Sequence, residues 1–526
     1  MHGSLTARRI FSPNVPTLSS SRGSLCRFRC RVNATRSRLN AIMAEYLTNI
    51  AWLLVVFSLA EWTIRVAMTI VLLRRPLAIQ TKLAWLGLVY IFPEFGLLLY
   101  LLIGNTRLGR LRAQRHRETA AIIHERYVAG HSIAGVDDSV PDDVESIVKQ
   151  AEGVGGLPLT FGNLVELLGD TRQVIDRLVT DIDSAQSHVH LLFYTFRNDE
   201  TGRQVADALE RAAARGVDCR LLADAVGSTT IFRRNGLAAK LNAQGVHVRP
   251  ALPVNLFRLG LKRIDLRNHR KVAVVDGRIG YTGSQNIVDS DYGYKRSGIW
   301  IDLMARFTGP VVRQIQIVFI QDWSYEVGEL LSGDDLLPDL APTGTIMAQI
   351  APTGPTHDAA TFRRIALAAI HSARHRIIIT SPYIVPDEHT AIALSMAVQR
   401  GVDVTAVMPL VTDQFLAGAA AGAYVGLFVE QGIRVFRFRP GLLHSKTMTV
   451  DDRFALVGTA NLDVRSLRLN FENTALMYGE EITKRLRDIQ QDYMAFSSEV
   501  TLEEWRSRSI VSQYISHAAA LVSPLL

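Results

Sequence analysis

Two copies of one short phrase constrain this chain more than any other feature: Asn268-His269-Arg270-Lys271 leading to Asp276, and Leu443-His444-Ser445-Lys446 leading to Asp451. In each copy a His is followed by Lys at +2 and Asp at +7, then by Gly at +14 and Asn at +17, which are Gly283 and Asn286, then Gly458 and Asn461. A strand sends alternate side chains to one face, so His and Lys two apart project together, about 7 Å apart at a rise of ~3.3 Å per residue. Such a pair can share one anion. The runs Val272-Ala273-Val274-Val275 and Thr447-Met448-Thr449-Val450 end in Asp276-Gly277 and Asp451-Asp452, which predicts a hairpin turn after each strand. An extended strand carries the motif Asp on the order of 20 Å from its own His. Asp276 and Asp451 therefore read as turn or ion-pair residues, not as partners of the imidazole.

The halves around the motifs keep matching. Ser184-Ala185 and Ser372-Ala373 precede the β-like runs 190–194 and 376–380, and each run leads through a helical stretch to Arg-Gly-Val-Asp, at 215–218 and 400–403. A further strand follows, then Gly245-Val246 or Gly432-Ile433. This is a duplicated α/β domain with one reactive His per half.

Chain length of 526 residues allows two or three domains. With 48% hydrophobic residues and positive mean hydropathy the chain points toward membrane contact, and a net charge of +8 suits an anionic partner, phospholipid or nucleic acid, without choosing between them. Three cysteines, Cys26, Cys30 and Cys219, imply no disulfide framework, and Cys26-x3-Cys30 lacks the second pair a metal site needs.

Residues 1–42 hold many Arg and Ser and no acidic residue. They read as disordered, as a targeting segment, or as an extension ahead of a start at Met43. The region 43–117 reads as a membrane hairpin, with apolar stretches Ile50 to Leu73 and Leu83 to Ile103 each long enough to span ~30 Å. Glu61 and Arg65 interrupt the first at a spacing that lets them pair, and an interfacial helix is the competing reading there. Arg107, Arg110, Arg112, Arg115 and Arg117 outnumber Arg74, Arg75 and Lys82 of the connector, which puts the catalytic part in the cytoplasm. Residues 118–155, with Asp137-Asp138, read as a linker, 156–337 as the first catalytic domain, 338–355 as a Pro/Thr/Gly-rich linker and 356–526 as the second domain.

The paired motifs, with Gly283-Ser284-Gln285-Asn286, Trp300-Ile301-Asp302, Gly458-Thr459-Ala460-Asn461 and Asn470-Phe471-Glu472, resemble the phospholipase D superfamily, whose signature is two His-x-Lys-x4-Asp motifs, and within it the bacterial cardiolipin synthases. The stretch Pro93 to Gly104 resembles the membrane region of the same family. The resemblance implies two duplicated phospholipase D-like α-β-α sandwich domains sharing one cleft, behind an N-terminal transmembrane hairpin in a bacterial inner membrane. It counts His269, Lys271 and Asp276 with His444, Lys446 and Asp451 as the catalytic signature. Asp302 and Glu472 are implied as the carboxylates that orient the histidines, with Ile301 where the family more often has Arg.

Transfer of a phosphatidyl group needs a nucleophile for phosphorus, an acid for the departing alcohol and cations around the phosphoryl oxygens. A neutral imidazole can attack and carry a phosphohistidine; the other, protonated, serves the leaving and incoming oxygens. Lys271 and Lys446, with Asn286 and Asn461, would hold the charged oxygens. Ser284 and Thr459, at +15, either donate to phosphate or finish the turn. The superfamily order makes His269 the nucleophile and His444 the acid, though the symmetry of the motifs leaves the reverse open. Tyr194 and Tyr383 read as core or cleft lining, and His188, His190, His371 and His375 as packing or surface residues.

The leading expectation is a membrane-bound cardiolipin synthase that condenses two phosphatidylglycerols into cardiolipin and glycerol, with no metal and no cofactor, acting on membrane phospholipids rather than nucleic acid. A phospholipase D hydrolase would use the same motifs, with water as acceptor. A superfamily nuclease is disfavoured by the anchor, and a silent lipid-binding scaffold has no need of both imidazoles.

Overall fold

The computed structural model describes residues 22–522 except 76, 78, 105–109, 124, 126–139, 254–265, 294–297, 334, 355–359, 464–465 and 468–469. Arg107 and Asp137-Asp138 lie outside the described residues, as do residues 1–21 of the Arg/Ser-rich tail. The chain forms two compact units, Met1–Leu99 and Tyr100–Leu526.

In the first unit a single helix runs Arg22–Leu73, through the boundary at Met43, so the expected disordered segment is helical from Arg22. The reason is local: from Ser24 to Arg75 the sequence contains neither Gly nor Pro. Its portion Thr35–Leu73 is long and apolar enough to cross a membrane. The expected second span is divided, Ile79–Ile91 then Pro93–Ile103, and neither piece alone reaches the ~20 residues a span needs. The break falls at Pro93, which has no N–H to continue the helical ladder. A hairpin nevertheless forms: Arg65 Nε donates to the Tyr90 carbonyl at 3.3 Å while its Nη1 pairs with Glu61 at 3.0 Å.

The second unit is built on one continuous sheet of 15 strands. From one edge the first half runs His247–Ala251, Asp218–Asp224, His188–Phe193, Val272–Val275, Ile279–Gly283, Met304–Thr308, Thr160–Leu168. From the other edge, inside Ser497–Glu499, the second half runs Arg434–Phe438, Asp403–Pro409, Arg376–Thr380, Thr447–Val450, Phe454–Gly458, Glu472–Tyr478, Ile346–Thr353. The order is the same in both. The halves meet where Thr160–Leu168 lies antiparallel to Ile346–Thr353, so the duplicated domains share a sheet. Three of their helices begin on aspartate caps that satisfy an otherwise unpaired backbone N–H: Asp170 accepts from Gln173 N, Asp199 from Gly202 N and Asp387 from Thr390 N.

Two expected linkers are structural elements. The Asp142–Gly155 helix buries Val144, Ile147, Val148 and Ala151, a helical repeat, in a cluster with Phe362, Ile365 and Ala369 of the second half. The Pro/Thr/Gly-rich stretch 338–355 contains the central strand Ile346–Thr353, whose alternate residues Ala348 and Ile350 are core.

Both motif strands close in hairpins, Val275 facing Ile279 and Val450 facing Phe454 across turns opened by Asp276 (φ 53°) and Asp451 (φ 51°). The +14 glycines are fixed by close approach. A Cβ on Gly283 would stand 2.4 Å from the Leu303 carbonyl oxygen, and one on Gly458 would stand 2.9 Å from that of Asn473.

Candidate active site

His269, Lys271, Asn286, His444, Lys446, Thr459 and Asn461 line one cavity of about 530 Å³. Backbone pairing between the halves puts them there. The segment Ile299–Ile301 of the first half pairs in parallel with Gly441–Leu443 of the second, and a bridge joins Asn268 to Phe471. Consequently His444 N donates to the Ile301 carbonyl at 2.8 Å, and His269 N to the Phe471 carbonyl at 2.9 Å. Each histidine hangs beside the residue just before the other half's carboxylate.

The side chains complete the exchange. His444 Nδ1 lies 2.6 Å from Asp302 Oδ1. His269 Nδ1 lies 3.4 Å from Glu472 Oε1, and the Asn470 amide donates to the same oxygen at 3.1 Å. A carboxylate on Nδ1 selects the tautomer that carries its proton there and leaves Nε2 for chemistry. The carboxylates are themselves held: Ser284 Oγ donates to Asp302 at 2.6 Å and Thr459 Oγ1 to Glu472 at 2.5 Å. The sequence left Ser284 and Thr459 between donating to phosphate and finishing the turn; in the structure each hydroxyl donates to a carboxylate. Burial raises the Asp302 pKa, but the charges of His444 and Lys446 and its hydrogen bonds outweigh that and hold it at about 2. Glu472 is likewise lowered against its burial, chiefly by His269.

Both lysines are buried, and each ammonium donates to the carbonyl of its own motif His, Lys271 at 2.7 Å and Lys446 at 2.5 Å. Burial lowers Lys271 to about 8 and Lys446 to about 7, and burial with the Lys446 charge lowers His444 to about 4. Cations crowded in a dry cleft are a site for an anion. Asn286 Oδ1 accepts from Thr195 N at 3.0 Å, and Asn461 Nδ2 donates to Asp463 at 3.1 Å.

Asp276 and Asp451 stand outside the cavity, although they belong to the motif. Asp276 accepts from the backbone N–H groups of Gln186, Ser187 and His188, and Asp451 from those of Arg374, His375 and Arg376. They tie each hairpin turn to the neighbouring strand. Tyr194 and Tyr383 line the cavity, and His190 is buried, stacked on Phe319 with ring centroids 4.4 Å apart.

Sequence reasoning named Tyr194 as core or cleft lining and Trp300 only as a motif residue, and it missed other parts of the wall. Trp300 packs on His444 with centroids 4.6 Å apart, Tyr194 on His269 at 4.3 Å, and Arg197 lies over Tyr292 at 4.9 Å. Arg197, Tyr292, Asp413 and Gln414 carry no repeat and no motif, so only the fold finds them. Beneath the site Arg270, fully buried, pairs with Asp322 at 2.6 Å and donates to the Glu472 and Thr353 carbonyls, while Asn268 Nδ2 donates to Asp322 at 2.8 Å. Among the described residues no group of His, Cys, Asp and Glu is arranged to hold a metal ion.

A family model described as cardiolipin synthase, PLD-like domain, matches residues 178–323 and 366–493, and a phospholipase D-nuclease N-terminal model matches 63–105. Cardiolipin synthase A of Proteus mirabilis is 34% identical over 92% of this chain and 100% of its own length; that of Erwinia tasmaniensis is 36% identical with the same coverage. Among solved structures, phosphatidylserine synthase of Haemophilus influenzae superposes with a TM-score of 0.56 at 14% identity, covering 72% of this chain and 99% of that one, a likeness of fold. With the family model matched in both halves and such relatives matched end to end, the chain belongs to the family of phospholipase D-like cardiolipin synthases.

Proposed function

We propose that the protein is a cardiolipin synthase that moves a phosphatidyl group from one phosphatidylglycerol to another, releasing glycerol. The observation that carries the reading is the pair of histidines, each backed by a carboxylate from the other half, on one cavity wall with two lysines. His269 Nε2 attacks phosphorus and the bond to the headgroup glycerol breaks. The departing oxygen takes a proton from His444 Nε2. The hydroxyl of the second phosphatidylglycerol then returns a proton to His444 as its oxygen displaces His269. Lys271 and Lys446 meet the charge that builds on the phosphoryl oxygens. Burial and the Lys446 charge lower the His444 pKa, and His444 acts as an acid once the bound phosphodiester offsets that lysine charge. The activity in the relatives' names and the apolar helix Thr35–Leu73 support a phospholipid substrate. We assign the chain to the bacterial inner membrane, with both N-terminal apolar stretches inserted and the catalytic unit cytoplasmic.

The test uses purified protein with labelled phosphatidylglycerol, following cardiolipin, phosphatidic acid and glycerol for wild type, His269→Ala and His444→Ala. Cardiolipin with equimolar glycerol, abolished in both variants, is expected. Phosphatidic acid as the main product would make the protein a hydrolase, and no turnover in any lipid would leave a binding scaffold.

A further inference from the structure

On its His269 side the catalytic cavity adjoins a second hollow of about 580 Å³, with which it shares Tyr194, His269, Tyr383, Gln414 and Asn461. Its remaining wall is apolar on one side, with Val385 and, from the first turns of helix Phe415–Glu430, Phe415, Leu416, Ala417 and Ala420, and polar on the other, with Arg267, Asp463 and Asn470. This helix has no charged residue before Glu430. His444 borders the first cavity and not the second.

The hollow belongs to an apolar face. Phe415 is 75% exposed and Leu416 48%, and Leu410 and Val411 just before the helix are also exposed. The C-terminal helix Ile510–Val522 packs on Phe415–Glu430, where a Cβ on Gly422 would meet Ser516, and the short helix Leu502–Arg506 before it approaches Gly426 with Trp505. The C-terminal helix adds exposed Ile510, Val511 and Tyr514. Large aromatic and aliphatic groups left in water together, beside a site, mark a surface with an apolar partner.

We propose that this face of the catalytic unit seats in the lipid layer and that the hollow receives the acyl chains of the phosphatidyl group whose phosphorus is held at His269. The inference rests on the reading of the protein as a phosphatidyltransferase. The occupant follows from the chemistry: the transferred group keeps both chains through both steps, so an apolar exit must adjoin the atom that carries it. Ala417 and Ala420 leave the room, and Phe415 and Leu416 supply the apolar contact. The hollow borders His269 alone of the two motif histidines, the one to which the proposed mechanism gives the covalent intermediate. The departing glycerol, which has no chains, leaves on the polar side beside His444.

The full chain is tested with two substrates, long-chain phosphatidylglycerol in vesicles and dihexanoyl phosphatidylglycerol dispersed as monomers. Phe415→Asp with Leu416→Asp, and separately Ala420→Trp to fill the hollow, are expected to lower the ratio of long-chain to short-chain turnover at least tenfold. An unchanged ratio in both variants overturns the proposal, whether total activity falls or not. A second readout needs no turnover. A fluorophore on Phe415→Cys, in a chain with Cys26 and Cys30 replaced by Ser, is expected to be quenched by lipids brominated in their acyl chains; no quenching overturns the membrane seat. Wild type that yields no phosphatidyl transfer would defeat the functional reading, while the quenching still reports on the face.

Discussion

Asp302 Oδ1 lies 2.6 Å from His444 Nδ1 although the two residues are 142 positions apart and belong to different repeats. Glu472 returns the exchange to His269. Neither motif histidine is paired with a carboxylate of its own half, so duplication alone did not make the site; the joining of the halves did. Asp302→Asn keeps the shape but lets the imidazole adopt the wrong tautomer. Its kcat is expected to fall on the order of 10³- to 10⁴-fold, the scale of an amide placed behind a catalytic histidine, with an unaltered melting profile. Near-normal turnover would show that the dyad does not orient His444.

Lys271 at about 8 and Lys446 at about 7 make anion binding a proton-linked event. A phosphodiester between them favours their charged forms. Glycerophosphoglycerol, a soluble headgroup analogue, is therefore expected to bind near neutral pH with net proton uptake and to bind more weakly as pH rises through 7 to 8. Calorimetry in buffers of different ionisation enthalpy reads both. The folding linkage has the opposite trend. In the unfolded chain both lysines titrate near 10.5, so between about 7 and 10.5 the unfolded state binds more protons, and these groups make the substrate-free protein more stable as pH rises across that window.

The buried Arg270–Asp322 pair underlies the first motif. Removing one partner strands the other charge out of water, so Asp322→Ala is expected to cost about 3–5 kcal/mol of stability. The double change Arg270→Met with Asp322→Leu is expected to recover most of it in denaturant unfolding. Activity need not return with stability, because Arg270 also ties down the Glu472 carbonyl at 3.0 Å.

The motif aspartates act on the turn. Asp276→Ala removes the acceptor of three backbone N–H groups and is expected to lower stability by about 1.5–3 kcal/mol. Its kcat should stay within about threefold of wild type, whereas Lys271→Ala should lose more than about 10²-fold, as for loss of an oxyanion contact. Equal losses in the two variants would return Asp276 to the chemistry.

What was legible in the sequence was local or repeated. The largely β-branched runs Val272–Val275 and Thr447–Val450 marked strands, Asp276-Gly277 marked the turn, and the second copy of every spacing marked the duplication. The pairing of Asp302 with His444 was not legible, because a contact between halves leaves no local periodicity. The helix Asp142–Gly155 did carry a signal, Val144, Ile147, Val148 and Ala151, hidden among the acidic residues of its first turn. The strand Ile346–Thr353 was masked by the Pro and Thr on both sides of it. Ser284 and Thr459 show the limit of residue type. A hydroxyl beside a phosphate motif suits a phosphate or a carboxylate equally, and only the geometry gives them to Asp302 and Glu472.

The most direct test of the account is to trap the intermediate. Enzyme mixed rapidly with phosphatidylglycerol labelled in its phosphate is quenched within one turnover and digested, and the labelled peptide is sequenced by mass spectrometry. The account expects an acid-labile, base-stable phosphoramidate on His269 that disappears as cardiolipin forms and is absent from His269→Ala. Cardiolipin formed at the normal rate with the label on neither histidine, or with it on His444, would contradict it.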